Sequence, residues 1–414
     1  MKARFACLLV AALLLAPAGV FAEVCSLDKA PAATLLLPYF EVDLDNPNGQ
    51  TTLFSLNNAS ATAALVNVVL WTDLGVPTLD FQVYLTGYDI QTINLRDVFN
   101  GVVPRTATAG QDPSDNLSPK GQYSQDINFA SCFGTLPLPA IPAALVTHLR
   151  AVHTGKFSAV LNGCGGRDLG DGLARGYVTM DTVNHCEVKF PSDPSYFGPT
   201  GMATDQNILW GDFIFVDPAK NFADGENLVR IEAFPNAFKA GDTTFYGRYV
   251  MGSGADHREP LATTWGARFA SGGAFPSGTD LIVWHDNGRI NQPFACGTTP
   301  PGFPLLLGGE QIFDEQERST SIPLFPCNPS LPCPSGPPLD SFPAESGRAA
   351  VGSPALPVPF TFGWLYMNLN PMGPSAGYVH QSWVGTVMKA LDRFSVGFGA
   401  TPLDSACDPL SFVP

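Results

Sequence analysis

Leu79-Asp80-Phe81-Gln82-Val83-Tyr84-Leu85-Thr86 switches faces at every residue. Strand side chains alternate with a period of two, so Phe81, Val83 and Leu85 are predicted to face a core. Asp80, Gln82, Tyr84 and Thr86 are predicted to face outward. After Gly87 the pattern resumes, with Ile93 and Leu95 inward and Thr92, Asn94 and Arg96 outward. Upstream, residues 34–42, 51–57 and 64–71 read as three more strands. Asp43-Leu44-Asp45-Asn46-Pro47-Asn48-Gly49 and Asn57-Asn58-Ala59-Ser60-Ala61 supply turn chemistry between them.

Successive short period-two segments predict a mostly β fold of antiparallel β-sandwich units, with immunoglobulin-like architecture in the first of them. The Cys…Trp…Cys spacing of antibody domains is missing, so only the architecture is expected. Residues 100–131 are polar, hold Pro, Gly and Ser, and show no periodicity. One short helix is predicted next. Pro142 suits its first position, Gly155 suits the position past its end, and Ile141, Leu145, Leu149 and Val152 form one apolar stripe. Further strands are predicted at 176–183, 208–216, 228–234, 244–250, 265–270, 281–285, 361–369, 377–388 and 393–399. Asn287-Gly288 after the 281–285 strand is a hairpin-turn dipeptide. Residues 297–308 and 323–358 are rich in Pro and Gly and read as ordered loops pinned by Cys327 and Cys333, or as flexible excursions. The division expected is 1–22, a signal peptide; 23–100, the first sheet unit; 101–138, a loop or linker; and 139–414, a second, larger sandwich region. One intertwined body fits nearly as well as two domains.

The N-terminal expectation rests on Lys2 and Arg4, the apolar run 5–15, the breakers Pro17 and Gly19, and the small residue Ala22. That is the layout of a cleavable secretory signal, too short to span a membrane. Removing it takes two of the 22 basic residues and none of the 37 acidic ones, leaving a net charge of −17. Such acidity argues against nucleic acid or an anionic membrane surface as partner. No second apolar run reaches spanning length, and a transmembrane barrel conflicts with the Pro-rich loops and the cysteines. Eight cysteines follow the signal: Cys25, Cys132, Cys164, Cys186, Cys296, Cys327, Cys333 and Cys407. An even number in an exported chain predicts disulfides. Cys327 with Cys333 is the expected local pair and Cys25 with Cys407 the next. Spacing pairs none of the other four.

Catalytic signatures are missing: no G-x-S-x-G elbow, no H-E-x-x-H helix and no glycine-rich phosphate loop. The run 43–49 resembles the start of a calcium loop, since hard cations need several oxygens on a sharp turn. Pro47 occupies a ligand position and Phe54 the twelfth, so a plain Asx/Pro/Gly turn is the better reading. Asp168 and Asp171, in Cys164-Gly165-Gly166-Arg167-Asp168-Leu169-Gly170-Asp171-Gly172, form a weaker cation candidate. His148 and His153 lie about 140° apart round a helix and do not share a metal. His185 neighbours Cys186, a cysteine more useful in a bridge; His257-Arg258-Glu259 and His285-Asp286 are local polar clusters at turns, and His380 is the sixth histidine. The acidic run 310–317, with Asp212, Asp217 and Glu232, leaves room for paired carboxylates of a glycosidase. Trp71, Trp210, Trp265, Trp284, Trp364 and Trp383 all fall in or beside strands, where core packing is the default and an exposed stacking platform the alternative.

Together these features lead to an expected exported, non-catalytic β-sandwich protein with a binding, adhesive or structural role outside the cytoplasm. Its partner would be a surface or extracellular ligand, protein or carbohydrate, and no cofactor is expected. The alternative is a secreted carbohydrate hydrolase with two carboxylates. Exposed aromatics on a flat face would favour the first, and a cleft with two converging carboxylates the second.

Overall fold

The structure is a computed structural model describing residues 30–104, 129–132, 134–136, 138–321, 341–354, 356–370, 378–391, 394–404 and 407. The expected signal peptide, most of the expected linker, and Cys25, Cys327 and Cys333 lie outside the described residues.

In the first half the elements are β1 (Thr34–Asp43), β2 (Thr51–Asn58), β3 (Ala64–Thr72), β4 (Pro77–Leu85), β5 (Ile90–Asn94), α1 (Leu95–Phe99), α2 (Ala143–His153), β6 (Leu173–Val183), β7 (Leu209–Trp210), β8 (Asp212–Asp217), β9 (Phe222–Asn227) and β10 (Val229–Ile231). The second half adds β11 (Thr264–Ala270), β12 (Thr279–His285), β13 (Leu305–Leu306), β14 (Gly309–Asp314), β15 (Ser319–Thr320), β16 (Ser341–Phe342), β17 (Ser346–Val351), β18 (Phe362–Asn368), β19 (Ser382–Ala390), β20 (Phe394–Gly399) and β21 (Thr401–Pro402). The fold is mostly β and its sheets are antiparallel.

The first sheet runs β10-β1-β6-β3-β4 and the second β5-β2-β8-β9, with β7 also on β2. Leu35, Phe40, Val68 and Val83 of the first sheet meet Phe54, Leu56 and Phe213 of the second in one core. Strands from the first hundred residues thus pair directly with strands from 173–231. The third sheet runs β17-β12-β19-β20 and the fourth β15-β14-β18-β11-β21. Leu281, Val283 and Val384 of the third pack on Trp265, Phe269, Ile312 and Leu365 of the fourth. A third cluster joins the first sheet to the third, through Leu36, Val69, Trp71 and Tyr177 against Trp284.

One residue sets which side chains of β1 reach which core. Register between β1 and β6 shifts between Leu37 and Phe40. Pro38 has no N–H to give the ladder, and such positions become bulges. The extra residue keeps Leu35, Leu37, Phe40 and Val42 in the first core and turns Leu36, Tyr39 and Glu41 to the opposite face.

The predicted helix is α2. Its stripe packs on the first core, and Gly155, with φ +71°, lies just past its end. An added Cβ there would sit 2.1 Å from the Asp168 nitrogen, so the position needs glycine. Four local expectations are corrected. Leu95 starts α1 rather than extending a strand, because the Asn94 side chain accepts from the Arg96 nitrogen and caps a helix. Residues 244–250 form turns, not a strand: the Asp256 carboxylate takes Thr244 Oγ1 at 2.7 Å and the Tyr246 nitrogen at 2.9 Å. Asn287-Gly288 opens a long loop, since β12 pairs with β17 and β19 and with no strand directly after it. The region 323–358 was expected as loop but contains β16 and β17, and β17 pairs with six residues of β12.

The polar side of the 79–86 stretch is also buried. Gln82 Nε2 donates to the Glu187 carbonyl at 3.0 Å, and Asn67 Nδ2 to the Lys189 carbonyl at 3.2 Å. The covering segment is tied down by the Cys132–Cys186 bridge, with Cα atoms 5.1 Å apart. Cys164–Cys296 is the other described bridge, also at 5.1 Å. These are the four cysteines that spacing could not pair. Cys407 is disulfide-bonded as well.

Candidate functional site

The candidates named from the sequence fall mostly into local structure. In the 43–49 loop, Asp43 Oδ1 accepts from the nitrogens of Asp45 and Asn46, an Asx turn. Arg96 fills the loop from below, donating Nη1 to the Pro47 carbonyl at 2.7 Å and Nη2 to those of Gly49 and Gln50 at 2.6 and 2.9 Å. A guanidinium therefore holds the carbonyls that a cation would use. Asp168 pairs with Lys156 at 2.5 Å and Asp171 with Arg175 at 2.5 Å, so each is already paired with a side-chain cation. Among the described residues no three His, Cys, Asp or Glu side chains gather as a metal site.

His148 Nδ1 meets Ser158 Oγ at 2.7 Å, and His153 bridges Thr78 and the Arg175 carbonyl, each 2.8 Å away. Burial pushes His153 down to about 4, so its ring is neutral. His185 pairs with Glu187 at the surface and His257 with Asp205 at 2.8 Å. His285 and His380 do come together, their rings stacked 5.8 Å apart beside Tyr378. His285 donates Nε2–H to the Leu369 carbonyl and is pushed by burial to about 4. The acidic run resolves into β14 and its turn, with Asp314 held by Arg318. Asp212 accepts from Ser55 at 2.7 Å, Asp217 pairs with Lys220, and Glu232 follows β10 with its side chain buried.

Carboxylates do converge, around an arginine that spacing did not mark. Arg248 pairs with Glu345 and with Asp286, and all three side chains are buried. Glu345 also accepts from Tyr177 Oη and Asn291 Nδ2, both at 2.8 Å. Asp286 accepts from Tyr378 and, at 3.4 Å, from Gln381. Surrounding carboxylates hold the Arg248 guanidinium well above its ordinary pKa against the opposing cost of burial. The cluster links β6 of the first sheet to β12 of the third and to the start of β17. The three charged side chains are buried between the layers, and Asn291, which donates to Glu345, also lines a cavity of about 470 Å³ with Leu74, Arg289 and Phe303.

The exposed candidate lies on the fourth sheet. Phe362, Trp364 and Tyr366 occupy alternate positions of β18 on the face away from the core, while Gly363, Leu365 and Met367 point in. Phe362 and Trp364 are 43% and 39% exposed, whereas Trp71, Trp265 and Trp284 are buried. Phe313 of β14 stacks on Trp364 with ring centroids 4.8 Å apart and planes 14° from parallel. Arg268 of β11 stands opposite Trp364 and Gln311 of β14 opposite Tyr366, and both are exposed. Alternate strand residues are about 6.6 Å apart, so the three positions span roughly 13 Å along one face of the sheet, with polar groups at its sides. The signal was present as Phe-x-Trp-x-Tyr, but its direction was not. Trp210 is the other exposed tryptophan, on β7 of the second sheet.

Among the described residues no helix is long and apolar enough to cross a membrane, which says nothing of a β-barrel. Comparison of the chain with protein families, curated proteins and solved structures returned no match.

Proposed function

We propose that this chain is an exported, non-catalytic binding protein that offers the outer face of its fourth sheet to an extracellular carbohydrate. The observation that carries the reading is the row Phe362, Trp364 and Tyr366 with Phe313 stacked on Trp364. An aromatic face is electron-rich and attracts the C–H faces of a sugar ring, while Gln311 and Arg268 stand where hydroxyls would need partners. The described disulfides are compatible with an oxidising destination. In this reading the paired sheets act as β-sandwiches of immunoglobulin-like kind that keep the face rigid.

The alternative, a hydrolase with two carboxylates, has less support. Asp286 and Glu345 meet only through the buried Arg248, and Glu41 and Asp280 only through Arg348. The test is a panel of soluble oligosaccharides and insoluble polysaccharides, with the secreted protein and with Trp364→Ala. Binding to at least one glycan, weakened about tenfold or more by Trp364→Ala with the melting temperature kept, is the expected result. Release of reducing sugar from the panel would instead favour the hydrolase.

A further inference from the structure

The Pro38 bulge turns Tyr39 and Glu41 toward the third sheet, and a cleft of about 110 Å³ opens there. Phe215, Phe222, Ile282 and Val387 form its apolar wall. Lys220, Arg348 and Lys389 bring three cations to it, in a chain whose formal net charge is −15. The volume exceeds the roughly 10–15 Å³ that one water needs, so several heavy atoms fit.

The acidic groups here are each paired with a cation. Glu41 Oε1 accepts from Tyr39 Oη at 2.6 Å and Arg175 Nε at 3.0 Å; Oε2 accepts from Gln50 Nε2 at 3.1 Å and Arg348 Nη1 at 3.2 Å. Asp280 takes Arg348 and, at 3.1 Å, Lys389. Asp217 takes Lys220 Nζ at 3.0 Å and caps the Lys220 nitrogen. An ammonium has three N–H donors, and Lys389 and Lys220 each place one on a carboxylate. Lys389 lies over the Phe222 ring, 5.0 Å from its centroid. Burial, then Arg348, pushes the Lys389 ammonium below its ordinary range, and Lys220 adds to the push. Asp224 on β9 interacts with Lys389 from outside the cleft wall. The site thus combines lysines with donors to spare, carboxylates already paired with cations and an apolar wall.

We infer that this cleft takes a small organic carboxylate with an apolar body, its charged end on Lys389 and Lys220 and its body against Phe222 and Val387. The carboxylate would supply the acceptors the cleft lacks, and its body would cover apolar surface now open to water. The site is separate from the aromatic face and stands whether or not that face binds sugar.

The test is calorimetric titration of the full secreted chain with benzoate, benzyl alcohol and benzylamine. Benzoate should bind saturably and at least about tenfold more tightly than either analogue. Lys389→Met should weaken benzoate about tenfold or more. Lys220→Met should also weaken it, and because that side chain is 62% exposed the fold is not at risk. Absence of saturable benzoate binding, equal binding of benzylamine, or unchanged binding in Lys220→Met would overturn the assignment.

Discussion

Arg248 meets Glu345 through both ends of its guanidinium, with Nη1 on Oε1 and Nη2 on Oε2 at 3.1 Å, across 97 residues of sequence. The contact joins the connector before β11 to the start of β17, and Tyr177 extends it to the first sheet. Two charges removed from water repay their desolvation only when geometry is good and the remaining polar atoms are satisfied. Here Asn287, Asn291 and Tyr177 satisfy them. Arg248→Met is expected to cost about 3–5 kcal/mol, because it leaves Glu345 and Asp286 buried without their cation. Glu345→Gln added to Arg248→Met should recover part of that loss. Urea denaturation at neutral pH measures both; a loss under about 1 kcal/mol for Arg248→Met would mean that water replaces the guanidinium.

Arg96 gives a second prediction. Its three short bonds to loop carbonyls fix the turn between β1 and β2. Arg96→Ala leaves those carbonyls to water and should lower stability by about 1–3 kcal/mol. Arg96→Lys should restore little, since an ammonium lacks the planar fork. Calcium at millimolar concentration should not raise the melting temperature of the wild-type chain. A clear rise would show that a cation competes successfully for the loop.

The bridges give a third. Peptide mapping without reduction should find Cys132 with Cys186 and Cys164 with Cys296, at separations of 54 and 132 residues. On the chain-entropy account the longer loop stabilises by up to about 5 kcal/mol and the shorter by about 4. Cys164→Ser/Cys296→Ser should therefore lower the midpoint at least as much as Cys132→Ser/Cys186→Ser. The Cys164–Cys296 bridge ties the segment between α2 and β6 to the loop after β12, where Cys164 and Phe294 also exchange backbone bonds. A scrambled map would remove this explanation of how the two halves of the chain hold together.

What the sequence reveals follows from how local the cause is. Phe81, Val83 and Leu85 read correctly because alternation is a property of one strand, and all three sit in the first core. The helix over 143–153 was legible from four spaced apolar residues and Gly155. Tyr84 and Gln82 misled because a strand pattern marks two faces without saying what covers them, and here a segment a hundred residues away does. β17 was hidden because Ser-Gly-Arg-Ala-Ala-Val has little strand propensity of its own and depends on β12 for its pairing. The Arg248 cluster was hidden for the same reason: its members come from five distant segments. On β18 the aromatic alternation was in plain view, but only the structure shows that Trp364 points away from the core while Trp265 and Trp284 point into it.

Asp80 and His153 give a fourth prediction, with opposite signs of pH dependence. Burial raises the Asp80 carboxyl to about 6, although the Lys189 nitrogen and Gln82 bond to it. An unfolded aspartate titrates near 3.9. Between about pH 4 and 6 the folded chain keeps a proton that the unfolded chain gives up, so this group adds stability as pH falls through 6 and withholds it at neutral pH. Asp80→Asn should then stabilise the protein at pH 7 by about 1–3 kcal/mol, given roughly 1.4 kcal/mol per pKa unit, and the gain should fade by about pH 4. His153 works the other way. Burial lowers it to about 4, whereas an unfolded histidine titrates near 6.5. The unfolded chain takes up the proton first, so the stability this ring contributes is whole above about pH 6.5 and is lost as pH falls toward 4. His153→Asn should cost stability at pH 7.5, and that cost should shrink on acidification. Denaturation midpoints of the three proteins from pH 4 to 8 decide both points. Variant curves that run parallel to the wild type across that window would show that neither group changes its protonation on unfolding.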